Sequence, residues 1–394
     1  MAASPHQIIS DPLQITQRAV QSVCFVGMGN LPVLAPEYNK HPIGGEQVQQ
    51  TLLARAMSRR GYRVSMVTAD YGQPDAGVWE DITVYKAFGL SEGLPVVRFL
   101  HPRWSKLWSA LKRANADVYY TSCAGAVVGQ LAMFCQRYKR RFIFRLASNS
   151  DCSPKDLLLR FWRDRKLYEY GLRHAHGILA QSEYQQSLLK DNYGLDSTVA
   201  GMLVQRNPER LSFAQRDFPV LWVNNFRTLK RPELYLDVAR ELKGLQFHLV
   251  GGAAPGNTKY FQRMREQAEQ IANVTFHGQI AYQDVNAFYH RARMLVNTSN
   301  IEGFPNSYLQ AWAHGAPVIT FIDPDGIIER EGVGFVVKDA QELKDRINYL
   351  ACSPEVWAQF SARCYAFMDR EFGEDRILRP YRELIDAPSL EVIR

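Results

Sequence analysis

Short apolar segments alternate with longer amphipathic stretches along most of this sequence. The first segment is Ser22–Gly27 and the next is Tyr62–Thr68, and a helical pattern from about Gln47 to Arg60 lies between them. Short apolar runs bounded by Gly or Pro are typical of strands that are buried on both faces, as in parallel sheets. Because parallel strands need a crossover connection, usually a helix, the alternation predicts an α/β fold.

The alternation is interrupted once, over residues 200–217, which are polar, contain Asn207-Pro208 and show little periodicity. It resumes at Val220–Val223. A length of 394 residues suggests two domains. We therefore predict one domain over residues 1–205, a second over residues 206–370 and a terminal helical segment over residues 371–394. Residues 1–20 are expected to form a poorly ordered lead-in.

The composition is that of an ordinary globular protein, with 46% hydrophobic and 22% charged residues. The formal net charge of +7 favours anionic partners, such as nucleotide diphosphates or an anionic membrane face. Without a recognition motif or a dense basic run, we expect no nucleic-acid partner. The six cysteines are scattered and include no Cys-x-x-Cys, so we expect reduced thiols in the cytosol.

Membrane contact, if present, is expected to be peripheral. The first twenty residues lack the apolar core of a signal peptide, and the longest apolar run, Ala124–Phe134, is too short to cross a bilayer. Two amphipathic stretches with neighbouring Lys and Arg suit either a membrane surface or packing on a sheet. Their apolar positions are Trp104, Leu107, Trp108 and Leu111 in one, and Leu157, Phe161, Trp162 and Tyr168 in the other.

The most informative stretch is a strand, a tight loop, a helix and a second strand. The strands are Met294–Thr298 and Val318–Phe321, and the helix is expected over Ser307–His314. The first N–H groups of a helix have no internal partner, and the positive end of its dipole lies there, so a diphosphate fits. Glu302 stands at the loop entrance, where it can accept hydrogen bonds from sugar hydroxyls.

Gln310 follows near the start of this helix. Ser307-x-x-Gln310 also has the pattern of a capping box, in which Gln310 would simply close the helix start. Both interpretations of Gln310, as a ligand contact and as a cap, stay open from the residues alone.

Glu302-Gly303-Phe304-Pro305 resembles the signature of the retaining glycosyltransferases of family four, which have the GT-B fold. The family pattern continues with a second Glu after seven residues, and Gln310 stands there instead. In the family, the first Glu contacts the donor sugar and the second contacts the nucleotide ribose. The resemblance implies two Rossmann-like αβα domains facing across a cleft, with a last helix that crosses back to the N-terminal domain.

Further positions carry the resemblance along the chain. It implies a catalytic group that comprises Glu302, Lys230 and Arg227. The usual family Arg aligns with Asn225, so Arg227 would have to substitute for it. The last helix would present Tyr381, Leu384 and Ile385. The residues implied to bind the donor are Gly44, Gly45, Gly252, Gly278, Gln279, Ile280, Gly303, Phe304, Pro305, Asn306, Ser307 and Gln310.

The N-terminal domain departs from the family pattern. Many relatives have a histidine where Tyr120–Ala124 stands, and a His-Gly where Arg145–Asp151 stands. In the second segment Ser148, Asn149 and Asp151 are candidates for acceptor contacts. An Asx or Ser turn explains the same three residues.

The function implied by the resemblance is transfer of a sugar from a UDP- or GDP-sugar, with retention, to a glycan, lipid-linked or small-molecule acceptor. The reaction would use a front-face mechanism in the assembly of polysaccharide or glycolipid. No Asp-x-Asp directly follows a predicted strand, so no metal or other cofactor is expected. We expect the protein in the cytoplasm, either free or at the inner face of the membrane. Two alternatives are a nucleotide-sugar-binding pseudoenzyme, suggested by Gln310 and the missing histidine, and a peripheral membrane scaffold.

Overall fold

The computed structural model describes residues 21–38, 43–95, 97–254 and 256–387, so the predicted lead-in over residues 1–20 lies outside the described residues. The first half builds one eight-stranded sheet in the order β3-β4-β2-β1-β5-β6-β7-β8, parallel except for β3. Its strands are β1 Ser22–Val26, β2 Arg63–Asp70, β3 Gly77–Trp79, β4 Ile82–Gly89, β5 Val118–Ser122, β6 Arg141–Arg145, β7 Gly177–Ala180 and β8 Thr198–Val199.

Helices cover both faces of this sheet, which explains why its central strands are apolar without alternation. One face packs against α3 to α6 and the other against α1 and α2. The helices are α1 Leu31–Leu34, α2 Gly45–Arg59, α3 Ser105–Ala114, α4 Ala126–Tyr138, α5 Trp162–Arg173 and α6 Glu183–Tyr193.

The second half repeats the plan with a six-stranded, fully parallel sheet in the order β11-β10-β9-β12-β13-β14. Its strands are β9 Phe218–Val223, β10 Phe247–Val250, β11 Val274–Gly278, β12 Ala292–Asn297, β13 Val318–Thr320 and β14 Gly334–Val336. Its helices are α7 Pro232–Glu241, α8 Thr258–Glu269, α9 Tyr282–Arg291, α10 Asn306–Ala313, α11 Ile327–Glu331, α12 Ala340–Cys352 and α13 Pro354–Glu371.

The last helix, α14 Glu374–Asp386, returns to the first sheet. Tyr381 and Ile385 are buried in the same core as α2, and Leu384 packs beside them. The Tyr381 hydroxyl donates to the carbonyl of Gly201 at 2.9 Å, and the Arg141 guanidinium donates to the carbonyl of Ile385 at 3.0 Å. The C-terminal helix therefore completes the helical layer on the α2 face of the first sheet.

The two amphipathic stretches have different outcomes. In α3, Leu107 and Leu111 are fully buried and Trp108 packs edge-on against Phe134, so this apolar face belongs to the core. The second stretch is not one helix, because α5 begins at Trp162, after Leu157 and Phe161. Leu157 and Tyr168 are buried, whereas Phe161 and Trp162 are exposed.

The six cysteines are all free thiols. No helix in the part of the chain that the structure describes combines the length and the apolar content that a membrane crossing requires.

Helices α4 and α5 touch backbone to backbone at two glycines. A Cβ on Gly129 would lie 2.3 Å from the carbonyl oxygen of Leu167, and one on Gly171 would lie 2.4 Å from the carbonyl of Val128. Real Cβ contacts are essentially never this short. The close packing of α4 on α5 therefore requires glycine at both positions.

We predict that Gly171→Ala lowers the free energy of unfolding by about 2 kcal/mol or more, because overpacking against backbone outweighs the roughly 1 kcal/mol gain in helix propensity. Urea unfolding measures the effect. Gly244→Ala is the control, since a Cβ there meets no atom within 4 Å. Equal stability of Gly171→Ala and wild type would contradict the close contact.

Candidate active site

The carboxyl ends of the two sheets face each other across a cleft of about 600 Å³ that residues of both halves line. In each sheet the strand order reverses next to the first strand, at β1 between β2 and β5 and at β9 between β10 and β12. Ligands of open α/β sheets bind in the crevice at such reversals. The loops that follow β1, β5, β9 and β12 therefore supply the cleft.

The loops after β9 and β12 are tied together below the cleft. The Thr298 hydroxyl accepts a hydrogen bond from the Trp222 indole at 3.0 Å and donates to the carbonyl of Lys230 at 2.7 Å. This brings Lys230 Nζ to 2.5 Å from Glu302 Oε1, with side chains only 15% and 11% exposed. The two residues that the sequence singled out separately thus form one ion pair in the cleft wall.

The start of α10 opens onto the same space. The helix begins at Asn306 with Pro305 as its N-cap, and no side chain caps it. Ser307 is therefore inside the helix, and the capping-box interpretation of Gln310 is wrong. The N–H groups of Asn306 and Ser307 stand at the positive end of the helix dipole. Gln310 is half-buried and lines the cleft.

A second helix start lies directly opposite. Helix α2 begins at Gly45 with Gly44 as its N-cap, two residues earlier than predicted. The Asn306 side-chain amide donates to the carbonyl of Gly45 at 2.8 Å, and a Cβ on Gly45 would lie 2.4 Å from that amide nitrogen. A larger residue at Gly45 would therefore displace the Asn306 side chain and break this contact between the two helix starts.

Further hydrogen bonds cross the cleft. The Asn225 amide donates to the carbonyl of Ile43 at 2.9 Å, and the Phe304 N–H donates to the Gln181 side chain at 3.0 Å. Asn225, at the position of the family's usual Arg, therefore fixes the loop before Gly44. Arg227 is exposed, lines the cleft and has no ion pair among the described residues.

The predicted donor residues after β10 and β11 form the far end of the cleft. Gly252, Gln279 and Ile280 line it. Gly278 does not line the cleft within the described part of the chain. It shapes the turn instead, with φ of 70° and a carbonyl that accepts from the Gly251 N–H at 2.8 Å.

The predicted acceptor residues form a turn at the end of β6. Ser148 Oγ accepts from the Ser150 N–H at 3.3 Å, and the Asp151 carboxylate accepts from the Ser148 N–H at 3.2 Å. Ser148 and Asp151 line the cleft. Among the described residues Asn149 does not, and its side-chain Oδ1 accepts from the Gln185 side-chain amide at 3.2 Å.

Glu46 is a cleft residue that the sequence analysis missed. Its carboxylate accepts hydrogen bonds from Gln50 at 2.8 Å and Ser122 at 3.3 Å. Burial raises the pKa of Glu46 to about 7, and the charge of nearby Asp151 adds to the shift. Burial also raises the pKa of Asp151 to about 6. The only sequence signal for a role of Glu46 was its place after Gly44-Gly45. Acidic residues are common in the first turn of a helix, so this signal was weak.

Arg145, at the end of β6, is a second missed residue. It is 2% exposed and lines the cleft. Its Nε and Nη2 atoms have no hydrogen-bond partner within the described residues. An arginine at the end of an apolar strand gives no sign of this from sequence.

An Asp-x-Asp that the sequence analysis did not consider, Asp323-Pro324-Asp325, begins two residues after the predicted strand Val318–Phe321. The Asp323 carboxylate accepts from the N–H groups of Ile328 and Glu329 at the start of α11. The Asp325 carboxylate accepts from those of Glu183 and Tyr184 at the start of α6, at 2.9 and 3.1 Å. Both carboxylates therefore cap helices, and Asp325 joins the two halves.

Two family models match the chain. The one described as Glycosyltransferase Family 4 matches residues 43–200, and the one described as Glycosyl transferases group 1 matches residues 218–353. Together they cover most of both halves and both walls of the cleft.

Curated relatives share parts of the chain. A trehalose synthase of Pyrococcus horikoshii is 27% identical over 168 residues, which is 39% of either chain. The O-antigen biosynthesis glycosyltransferase WbnH of Escherichia coli is 29% identical over 136 residues, 34% of this chain and 37% of the relative. The chain thus spans about two fifths of the length of these relatives.

Solved structures match nearly the whole chain. Sucrose-phosphate synthase from Thermosynechococcus elongatus superposes with a TM-score of 0.74 at 18% identity, over 93% of this chain and 100% of that one. HepE of Anabaena in complex with UDP-glucose superposes with a TM-score of 0.70 at 15% identity, over 93% and 98%. At these identities the likeness establishes the fold.

We predict a pH-dependent stability difference for Glu46→Gln. The folded pKa of about 7 lies above the ordinary 4.5, so the stabilising contribution of Glu46 is complete below about pH 4.5 and is lost as the pH rises to about 7. Glutamine removes this loss, so relative to wild type the variant should gain about 1 to 3 kcal/mol between pH 4 and pH 8.

Thermal or urea unfolding across that range measures the difference. Glu266→Gln, at an exposed position on α8, is the control and should follow the wild-type profile. Parallel profiles for wild type and Glu46→Gln would contradict the burial of this carboxyl.

Proposed function

Because this chain belongs to the family-four glycosyltransferases and has their GT-B fold, we propose that it transfers a sugar from a nucleotide diphosphate sugar to an acceptor with retention of anomeric configuration. One observation carries the proposal. The Lys230–Glu302 ion pair lies in a cleft onto which two helix N-termini open, so cations, a sugar-binding carboxylate and free N–H groups surround one space.

In this proposal the donor diphosphate lies between the starts of α2 and α10. Lys230 and Arg227 meet its charge together with the N–H groups of Asn306 and Ser307. Cations held in place can stabilise a leaving diphosphate without a metal ion, so we propose a metal-independent reaction. The base is uracil or guanine, and the UDP-glucose complex of HepE supports the uridine nucleotide.

Glu302 holds the donor sugar by its hydroxyls, at the side of the cleft next to Lys230. The bond from the anomeric carbon to the phosphate oxygen breaks, and the acceptor oxygen bonds to that carbon on the same face. The acceptor proton passes to the leaving phosphate oxygen, so no separate base is needed. The role of Lys230 is to stabilise the charge that develops on that phosphate.

The acceptor occupies the N-terminal wall, near Ser148, Asp151 and Glu46. Hydroxyl-rich acceptors fit this wall because its carboxyl and hydroxyl groups can donate and accept hydrogen bonds. We propose a glycan or lipid-linked acceptor in surface polysaccharide assembly, which the O-antigen glycosyltransferase among the relatives supports.

A second candidate is a nucleotide-sugar-binding pseudoenzyme. Gln310 lines the cleft where the family has a Glu, and Tyr120–Ala124 contains no histidine where many relatives have one. Normal nucleotide binding without sugar transfer or donor hydrolysis would favour this candidate over the enzyme.

We expect one nucleotide among UDP, GDP and ADP to raise the melting temperature of the wild type, because a ligand that binds only the folded state stabilises it. Lys230→Ala should lower the affinity for that nucleotide about 100-fold or more, since a charge-assisted contact to phosphate is lost. Arg240→Ala, at an exposed position on α7, is the matched control and should behave as wild type. No shift with any nucleotide would contradict the proposed donor site.

Glu302→Gln should separate binding from chemistry. Because Glu302 contacts the sugar and not the nucleotide in this proposal, the variant should keep nucleotide binding. Transfer or donor hydrolysis should fall about 100-fold. Single-turnover release of nucleotide from the donor sugar measures the loss. Wild-type turnover by Glu302→Gln would remove this residue from the mechanism.

A further inference from the structure

One side of the N-terminal domain exposes an unusual number of large apolar side chains. Eleven such residues are exposed in the described part of the chain, and seven of them fall in two short segments, the described residues of 90–104 (90–95 and 97–104) and residues 154–165. We call these two segments the apolar-basic patch. Its exposed apolar residues are Leu90, Leu94, Val97, Leu100, Leu158, Phe161 and Trp162, with Leu94, Leu158 and Trp162 each more than 70% exposed.

The two segments form one continuous surface. The Arg163 guanidinium of the second segment lies 3.3 Å from the ring centroid of Phe99 in the first. Phe99 in turn packs edge-on against Trp104, at the base of α3. This contact holds the two segments side by side.

The surrounding structure holds this surface in shape. Arg165 turns inward and donates to the carbonyls of Leu159 at 2.8 Å and Leu157 at 3.0 Å. Leu157 anchors the segment in the core, while its neighbour Leu158 points outward. The exposure of Leu158 and Phe161 is thus fixed by the fold of the segment that presents them.

The charge of the patch is positive. Its two segments contain six Lys and Arg against three Asp and Glu, an excess of three within a formal net charge of +7 for the whole chain. Exposed apolar side chains among cations are complementary to the headgroup region of an anionic bilayer. A protein partner would need no such excess of charge, since interface cores are depleted in charged residues.

The patch also borders the cleft. Leu158 and Leu159 line the cleft wall together with Ser148 and Asp151. A surface that docks through the patch would therefore lie beside the acceptor wall, away from the Lys230–Glu302 pair on the opposite domain.

We propose that the apolar-basic patch docks on an anionic phospholipid bilayer and that a lipid-linked acceptor enters the cleft from that bilayer past Leu158. The docking stands on the patch alone, whereas the entry of an acceptor rests on the proposed function. Because α3 packs its own apolar face into the core, the contact is made by the two segments and not by Trp108.

Vesicle co-sedimentation tests the docking. Wild type should bind phosphatidylcholine vesicles that contain phosphatidylglycerol, should bind pure phosphatidylcholine weakly, and should be released by salt. The triple variant Leu94→Ser, Leu100→Ser, Trp162→Ser should lose about tenfold or more of the affinity for anionic vesicles. Val78→Ser with Tyr349→Ser, which removes exposed apolar groups elsewhere, should bind as wild type.

Nucleotide-induced thermal stabilisation is measured on the same proteins. The triple variant should keep it, since none of its three positions lines the cleft within the described residues. No binding of wild type to anionic vesicles, equal binding to neutral ones, or wild-type binding by the folded triple variant would overturn the proposal. Vesicle binding without any nucleotide effect would support the docking and contradict the proposed function instead.

Discussion

Two helices from different domains point their N-termini at one space, and the site depends on this arrangement. At the starts of α2 and α10, Asn306 bonds to the carbonyl of Gly45, and no side chain fits between them. Two positive dipole ends with Lys230 and Arg227 nearby repel one another unless negative charge lies between them. Glu302 offsets part of this charge from within the cleft wall. A diphosphate at this place would offset much more, which is why we propose it as the group that the two helix starts bind.

The fold and the donor wall were largely predictable. Buried parallel strands are apolar without alternation, so β1, β2 and β9 to β13 stand out in the sequence, and the predicted GT-B fold and family are confirmed. The loop over Glu302–Ser307 is local in sequence, which is why its residues reach the cleft together. The edge strand β3 and its neighbour β4 were missed, because both mix polar and apolar residues.

Other features depend on contacts between distant parts of the chain. The raised pKa of Glu46 comes from burial beside Ser122, which is 76 residues away. The faces of α3 and of the segment before α5 have the same pattern in sequence, yet one packs on the sheet and the other is exposed. Sheet packing and membrane contact both favour amphipathic stretches, so only the tertiary structure separates them. The predicted domain boundaries and the roles of the site residues stay predictions.

The two walls of the cleft differ in how far they follow the family. The donor wall keeps the Lys230 and Glu302 positions, while the acceptor wall replaces histidines with a Ser148–Asp151 turn and adds two carboxyls of raised pKa. At neutral pH a partly protonated Glu46 can both donate and accept a hydrogen bond. We therefore propose that the N-terminal wall of the cleft, next to the apolar-basic patch, sets the acceptor specificity of this chain.

The most direct measurement is a crystal structure of the chain with bound UDP. The account predicts the diphosphate between the starts of α2 and α10, within hydrogen-bond distance of Lys230 Nζ and of the N–H groups of Asn306 or Ser307. Ordered UDP outside the cleft, or a diphosphate that contacts neither Lys230 nor the start of α10, would contradict it.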